Sequence, residues 1–260
     1  MSNYLRDRHI RSVSLDEDRI RNIHGCLVEI ANINNENIDA ADPKFVDVKV
    51  MIRFDSKGFL LSDIDEVIGY YKSAKRTERF NFVLESGQSR ASNRASGKAV
   101  DLWFDALNEL NCILRVQDDD KTWAESTFCK LEEEIDKYGN MNFIIRTAWT
   151  PFVVQILGVT AGVLLSLWAA LRISPYFEIQ YPFVASFVLA FLIFSNIWTY
   201  LNSVVLKFLD YAFPNISIRE NRGLRWLFQT FLATIVVAAA VYFVDRTFDF
   251  FGRIVSEILK

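Results

Sequence analysis

Hydrophobic and polar positions divide the chain into two parts that meet near residue 146. Before this point, short apolar runs alternate with charged residues. After it come three long apolar windows, at 151–171, 182–206 and 224–244, whose only charge is Arg225 at the edge of the third. About 20 apolar residues at helical rise span the core of a bilayer, where a helix satisfies its own backbone hydrogen bonds. The pattern predicts three transmembrane helices.

The polar part has the alternating elements of an α+β domain, which we place at residues 14–140. Apolar residues at helical spacing predict helices after Ser14, after Ser62 and after Asp120. Strand-like runs lie at 45–54, 78–85, 98–106 and 111–117. The order α-β-α-β-β-β-α is typical of an antiparallel sheet with helices on one face. We expect residues 1–13 to form a flexible arm.

The membrane part is placed at residues 141–260, and its positive charges predict its orientation. The 172–181 loop has one cation, Arg172, whereas the 207–225 loop has four: Lys207, Arg219, Arg222 and Arg225. The positive-inside rule then places the domain in the cytosol, with the C-terminus outside. The tail, 246–260, has apolar residues at helical spacing, which predicts an amphipathic helix in the interface. Packing of this tail inside an oligomer is the alternative.

Small and polar residues interrupt the apolar spans. Gly158, Gly162 and Ser166 form one stripe in the first span, and Thr230, Thr234 and Ala238 form another in the third. Such stripes let helices approach closely. They predict a homo-oligomer, with packing between spans of one chain as the alternative. The second span carries a neutral polar row: Ser195, Asn196, Thr199, Asn202 and Ser203. This row favours either helix–helix hydrogen bonds or the lining of a pore built from several copies.

The connector and one loop are candidates for coupling and for binding. Residues 141–150 lie between the domain and the first span, and we expect them to couple the two. The segment SGQSRASNRASGK, 86–98, carries Arg90, Arg94, Ser96 and Lys98. Cations beside serine and glycine donors favour an anion site, and a solvated hairpin tip is the alternative.

Composition and motifs argue against several classes of function. The net charge of −3 gives no basic surface for nucleic acid. The two histidines and three cysteines lack metal-ligand spacing, and Asp118–Asp120 precede a helix, where acids cap. The predicted spans have no ionisable residue near their middle, which disfavours a coupled transporter. Catalytic signatures are absent. We therefore expect no enzyme activity, no metal and no cofactor.

A short motif connects this layout with a known group of proteins. Tyr211-Ala212-Phe213-Pro214 is followed by basic residues before the last span. With the cytosolic domain in front, it resembles a group of poorly characterised bacterial membrane proteins that carry a few C-terminal spans. The resemblance implies a non-enzymatic protein of the type used as membrane-acting effectors in bacterial defence. We expect the domain to sense a protein partner or a small anionic ligand and to act through oligomeric spans in the lipid bilayer. A membrane-tethered scaffold or complex subunit without channel activity is the alternative.

Overall fold

A computed structural model describes residues 3–218, which form an α+β domain and a helical hairpin. The strands are β1 (Tyr4–His9), β2 (Val13–Leu15), β3 (Val46–Phe54), β4 (Lys57–Leu61), β5 (Thr77–Ser86), β6 (Ala99–Asp105), β7 (Ile113–Asp118) and β8 (Ile216–Ile218). The helices are α1 (Glu17–Asn35), α2 (Ile64–Ser73), α3 (Gly87–Ala91), α4 (Lys121–Asp136), α5 (Trp149–Ile173) and α6 (Pro182–Ala212). The predicted third span, the amphipathic tail and the stripe Thr230, Thr234 and Ala238 lie outside the described residues.

Six strands form one antiparallel sheet in the order β1-β7-β6-β5-β3-β4. The prediction of an α+β domain with an antiparallel sheet is confirmed. The four strand-like runs of the sequence correspond to β3, β5, β6 and β7. A second, two-stranded sheet pairs β2 with β8 in parallel.

The core lies between one face of the large sheet and the helices α1, α2 and α4. Burial along β3 alternates strictly at first, because successive side chains point to opposite faces. Phe80, Phe82, Phe104 and Phe128 are among the largest fully buried side chains, and they join one cluster with the apolar faces of the three helices. At about 1.5–3 kcal/mol for each buried side chain of this kind, the cluster is the main stabilising term of the domain.

The N-terminal segment is not the flexible arm that the sequence suggested. Residues 4–9 form β1, the edge strand that pairs with β7 along its whole length. The charges of Arg6 and Arg8 concealed this strand, since both side chains lie on the face that packs against α4. They form ion pairs with carboxylates of that helix: Glu125, Glu132 and Asp136.

Within residues 3–218, two helices are long and apolar enough to cross a membrane, by length and composition: Trp149–Tyr176 and Pro182–Ala212. They include the predicted windows 151–171 and 182–206. The two helices pack against each other as a hairpin. Most of their surface is exposed, which distinguishes them from the buried helices of a soluble core. α6 continues six residues past the predicted end of its span, to Ala212.

Candidate functional site: the junction of the domain and the hairpin

The chain enters the hairpin from the domain and returns to the same domain. After α6, Ile216–Ile218 pair in parallel with Val13–Leu15 as β8 and β2. The domain therefore includes residues 216–218, which lie far outside the predicted range of 14–140. Because the start of α5 and the end of α6 are both joined to the domain, they lie on the same side of any membrane that the hairpin crosses.

Asn215 fixes the returning segment through hydrogen bonds that imitate a neighbouring strand. Its Oδ1 accepts from the Ser12 backbone N–H at 2.8 Å, and its Nδ2 donates to the Ile10 carbonyl at 3.1 Å. Its own carbonyl accepts from the Val13 N–H at 3.0 Å. Asn215 is buried, so these partners cannot be replaced by water without opening the segment.

Arg146 joins the connector, the domain and the end of α6. Its guanidinium donates to the Phe213 carbonyl at 2.7 Å and forms an ion pair with Glu109, which follows β6. A second carboxylate, Asp210 of α6, lies 3.3 Å from Nη1. The Arg146 side chain is only 15% exposed. Glu109 and Asp210 are 55% and 71% exposed, so water screens the two ion pairs, and the charge-assisted hydrogen bond to the Phe213 carbonyl is the main contact. We call Arg146, Glu109 and Asp210 the junction clamp.

Two adjacent cavities flank the junction clamp. One has a volume of about 230 Å³ and the other about 270 Å³. All three clamp residues line both of them. The first is completed mainly by apolar residues at the helix ends, and the second by the turn after β6 together with the segment 214–215. The empty space allows the junction to repack without first displacing a close-packed core.

The turn after β6 is held by Asp105, whose carboxylate is almost fully buried. Burial acts to raise the pKa of Asp105. Hydrogen bonds from the Asn111 side chain, the Leu107 and Asn108 backbone N–H groups and Arg79 outweigh it and lower the pKa. The carboxylate is therefore charged and rigidly held beside the second cavity.

Cys112 lies beneath the returning segment. Burial raises the pKa of its thiol, while the nearby Asn215 side chain acts in the opposite direction. The thiol donates to the Asp105 carbonyl at 3.3 Å. All three cysteines are free: Cys112 is buried, Cys26 is half-buried and Cys129 is exposed. Cys112 is therefore a natural reporter of whether the segment 213–218 is closed.

The connector residues predicted to couple the domain to the first span carry their own contacts to the returning segment. Asn142 donates through Nδ2 to the Pro214 carbonyl at 3.0 Å. Asn140 donates its backbone N–H to the Ser12 carbonyl at 2.7 Å. The start and the end of the hairpin are thus tied to each other as well as to the domain.

Comparison of the chain with protein-family models, with curated proteins and with solved structures found no match.

The 86–98 loop folds into the short helix α3 and a tight turn. Each predicted cation has a carboxylate within 4.0 Å: Arg90 faces Glu85 and Asp47, Arg94 faces Asp101 and Glu85, and Lys98 faces Asp118. Gln88 donates to the Ser96 hydroxyl at 3.3 Å. An anion would have to compete with these carboxylates. The anion site stays a prediction, and the contacts favour a structural loop.

Gly97 shows why the turn is tight. Its φ of +89° suits glycine, and an added Cβ would lie 2.9 Å from both the Ser86 hydroxyl and the Ser89 backbone nitrogen. The Gly97 N–H donates to Asp119 at 3.0 Å, and Asp120 caps α4 by accepting from the Thr122 N–H. Asp118 accepts from the Asp119 N–H at 2.8 Å, so all three acids predicted to cap a helix have structural partners. Within residues 3–218 no cluster of three metal-ligating side chains exists.

The small-residue stripe of the first span meets α6 of the same chain at one position. A Cβ added to Gly158 would lie 1.6 Å from the Trp198 ring, so only glycine admits this indole. Nothing lies within 4 Å of a Cβ added to Gly162. Ser166 is buried and donates to the Gly162 carbonyl at 2.6 Å. Gly158 therefore serves packing inside the hairpin, and an oligomer through this stripe stays a prediction.

The polar row of α6 lies mostly on its exposed surface. Ser195, Asn196, Thr199 and Ser203 are exposed, and Asn202 is half-buried. Three of these side chains bond to their own helix: Asn196 donates to Leu192, Thr199 to Ser195 and Ser203 to Thr199. Asn202 Oδ1 and Trp198 Nε1 are buried and have no hydrogen-bond partner in the described part of the chain. The row is thus available to other helices or to water.

Sequence reasoning missed the residues that form the junction, although two signals were present. Arg146 is the only charged residue between Lys137 and Arg172, and a single cation at the edge of an apolar run marks a boundary. Asn215 is a polar residue between Pro214 and the short run Ile216–Ile218. Neither signal identifies the partner, because the contacts join residues that are distant in sequence.

Proposed function

We propose that this protein is a non-enzymatic membrane protein whose α+β domain, on the cytosolic side of a bacterial inner membrane, senses a ligand or partner and acts through oligomeric transmembrane helices as a membrane-permeabilising effector. The closed junction supports this proposal. One folded domain holds both ends of the hairpin, through residues 140–146 and 213–218. A change of packing in the domain is therefore felt by both helices.

The mechanism is a population shift between two arrangements of the junction. The described arrangement is the resting state, with the junction clamp closed on the Phe213 carbonyl. A ligand or partner that binds a second arrangement of the domain more tightly opens the clamp. The freed ends of α5 and α6 then repack against other copies of the chain, using the cavities beside the clamp as room to move.

In the open arrangement the polar row of α6 lines the path through the membrane. Its exposed hydroxyl and amide groups offer neutral hydrogen-bonding atoms to water and ions. The third predicted span and the amphipathic tail complete the membrane part in this proposal, with the C-terminus outside.

The experiment measures ion leakage from liposomes that contain the full-length protein. Arg146→Gln removes the charge of the clamp and is expected to raise leakage at least tenfold over the parent. Arg76→Gln, an exposed arginine on the domain surface, is the matched control and should leave leakage unchanged. Adding Thr199→Val and Ser203→Ala to Arg146→Gln should return leakage to that of empty liposomes. Liposomes that retain ions with Arg146→Gln present would refute the permeabilising function.

A membrane-tethered scaffold is the second candidate, and the hydrogen bonding of the polar row favours it. Because Asn196, Thr199 and Ser203 already bond to carbonyls of their own helix, they need no water in the membrane. A scaffold predicts that cross-linking in cells recovers a stoichiometric partner bound through residues 14–138, and that no variant of the clamp changes leakage.

A further inference from the structure

The large sheet has a second face that α1, α2 and α4 do not cover. Cross-strand pairing places six residues in one row across it, in the order of the strands from β1 to β4: His9, Ile113, Trp103, Asn81, Met51 and Leu60. The row is largely apolar. Both ends are exposed, and Leu60 at one end is 61% exposed.

An unpaired polar pair lies at the centre of this row. Asn81 is only 6% exposed, and its Oδ1 is buried without a hydrogen-bond partner. A half-turn of the amide exchanges oxygen and nitrogen and brings the acceptor towards the surface. Its cross-strand neighbour Trp103 is half-buried, and in residues 3–218 its indole N–H has no acceptor. With the Asn81 amide turned in this way, its oxygen reaches the apolar surface, which favours a partner that donates a hydrogen bond there.

The row is complementary to itself under a two-fold rotation about an axis that runs along the strands. This rotation reverses the order of the row, so Trp103 of one copy faces Asn81 of the other, and the reverse. Trp103 and Asn81 lie on β6 and β5, the two middle strands of the six. The axis therefore passes through the centre of the face, and each indole N–H meets one unpaired amide oxygen.

The same axis suits two copies in one membrane. β1 ends beside the Ile10 carbonyl that Asn215 contacts, and β6 ends near Glu109 of the junction clamp. Both strands thus run towards the hairpin, and a rotation about the strand direction keeps the two hairpins on one side.

Charge and size also favour a second copy as the partner. The next row along the strands contains two acids and two cations and is neutral: Asp7, Arg115, Asp101, Val83 and Lys49. A neutral face of mixed charge does not suit a nucleic acid or an anionic lipid surface. Six strands about 4.8 Å apart make the row about 24 Å wide. A square patch of about 800 Å², the area that each partner buries in a standard interface, has a side of about 28 Å.

We infer that the open face of the sheet is the interface between two copies of this chain, centred on reciprocal hydrogen bonds from Trp103 to Asn81 of the other copy. The inference rests on the proposed function only in naming an interface for its oligomer.

The test mixes two single-cysteine forms of the full chain in nanodiscs, each made in a background in which the native cysteines are serine. One form carries Asn81→Cys and the other Trp103→Cys, with different affinity tags. A short bismaleimide should join the two tags in a single covalent dimer. Glu66→Cys, on exposed α2 and thus on the other side of the sheet, is the matched control and should give none. Absence of the Asn81–Trp103 product, or equal yield from the control, would overturn the inference.

A second measurement removes only the proposed donor. Trp103→Phe keeps the ring and deletes the N–H, so it should raise the dissociation constant of the dimer by about tenfold, measured by the mass distribution in nanodiscs at several protein concentrations. An unchanged dissociation constant would contradict the central hydrogen bonds. If the covalent dimer forms while Arg146→Gln fails to cause leakage, the interface stands and the permeabilising function fails. If Arg146→Gln causes leakage while the covalent dimer does not form, the permeabilising function stands and the interface fails.

Discussion

Asn215→Ala provides a sharp test of whether the returning segment closes the domain. The substitution removes the acceptor of the Ser12 N–H and the donor to the Ile10 carbonyl, which lie 2.8 and 3.1 Å from the amide atoms. Ser12 and Ile10 are 2% and 4% exposed, so water does not reach either group while the segment is closed. Each unsatisfied buried group costs about 1–3 kcal/mol. Closure of the segment 213–218 should therefore weaken by at least about 2 kcal/mol, or roughly 30-fold in its equilibrium constant.

The assay is the rate of maleimide labelling of Cys112 in a background of Cys26→Ser and Cys129→Ser. Cys112 has no exposed surface, and the Asn215 side chain lies beside its thiol, so opening of the segment should speed its reaction. Labelling of Asn215→Ala should be about 30-fold faster than labelling of the parent at a temperature far below unfolding. Asn37→Ala, at an exposed asparagine, is the control and should label at the parental rate. A rate for Asn215→Ala within threefold of the parent would show that the amide does not hold the segment closed.

Three further predictions follow from packing, ion pairing and titration. Gly158→Ala should lower the melting temperature in detergent by several degrees because its Cβ collides with an indole, whereas Gly162→Ala, which meets nothing within 4 Å, should not lower it. Arg94→Ala should destabilise the domain by about 1–3 kcal/mol in denaturant titrations because it leaves a buried carboxylate unpaired, whereas Arg90→Ala, at a 55% exposed side chain, should cost less than about 1 kcal/mol. Since the pKa of Asp105 is lowered in the folded state, its stabilising contribution is present above the ordinary value of about 3.9 and is lost as the pH falls through the folded value; Asp105→Asn should flatten the acid limb of the stability curve, and an unchanged slope would contradict this assignment.

The regular elements of the domain were accessible from the sequence because local patterns determine them. Strand-like runs identified β3, β5, β6 and β7, and helical spacing identified α1, α2 and α4. Even the acid before α4 was correctly interpreted as a cap, since Asp120 accepts from the first turn of that helix.

The elements that the sequence did not predict are those whose partners are distant in the chain. β1 contains two arginines in six residues, and both form ion pairs with carboxylates of α4 that the sequence pattern does not show. β8 has only three residues, and it forms a strand because it pairs with β2, about 200 residues earlier in the chain. The junction clamp could not be predicted from the sequence for the same reason, because the position of Arg146 in the chain does not show which carboxylates it contacts.

The 86–98 loop shows why ion pairs are hard to predict from the spacing of charges in a sequence. Its composition suggested free cations, and the sequence does contain the neutralising acids close by, at Glu85 and Asp101. Whether a nearby acid reaches a cation depends on the direction of the turn. Here residues 93 and 94 adopt positive φ, which folds Arg94 back over the sheet. Such a turn is not encoded by charge spacing alone.

The pairing of β2 with β8 has a consequence for how the chain is made. The Ser12 N–H has no Asn215 side chain to donate to until the ribosome adds that residue, about 200 residues later. Both helices of the hairpin have been synthesised by then. Until then the side of Val13–Leu15 that pairs with β8 is open, and exposed strand edges promote aggregation. Delivery of the hairpin to its final environment and completion of the domain are thus one event in biogenesis, and a chain whose second helix does not return presents a surface that quality-control proteases can recognise.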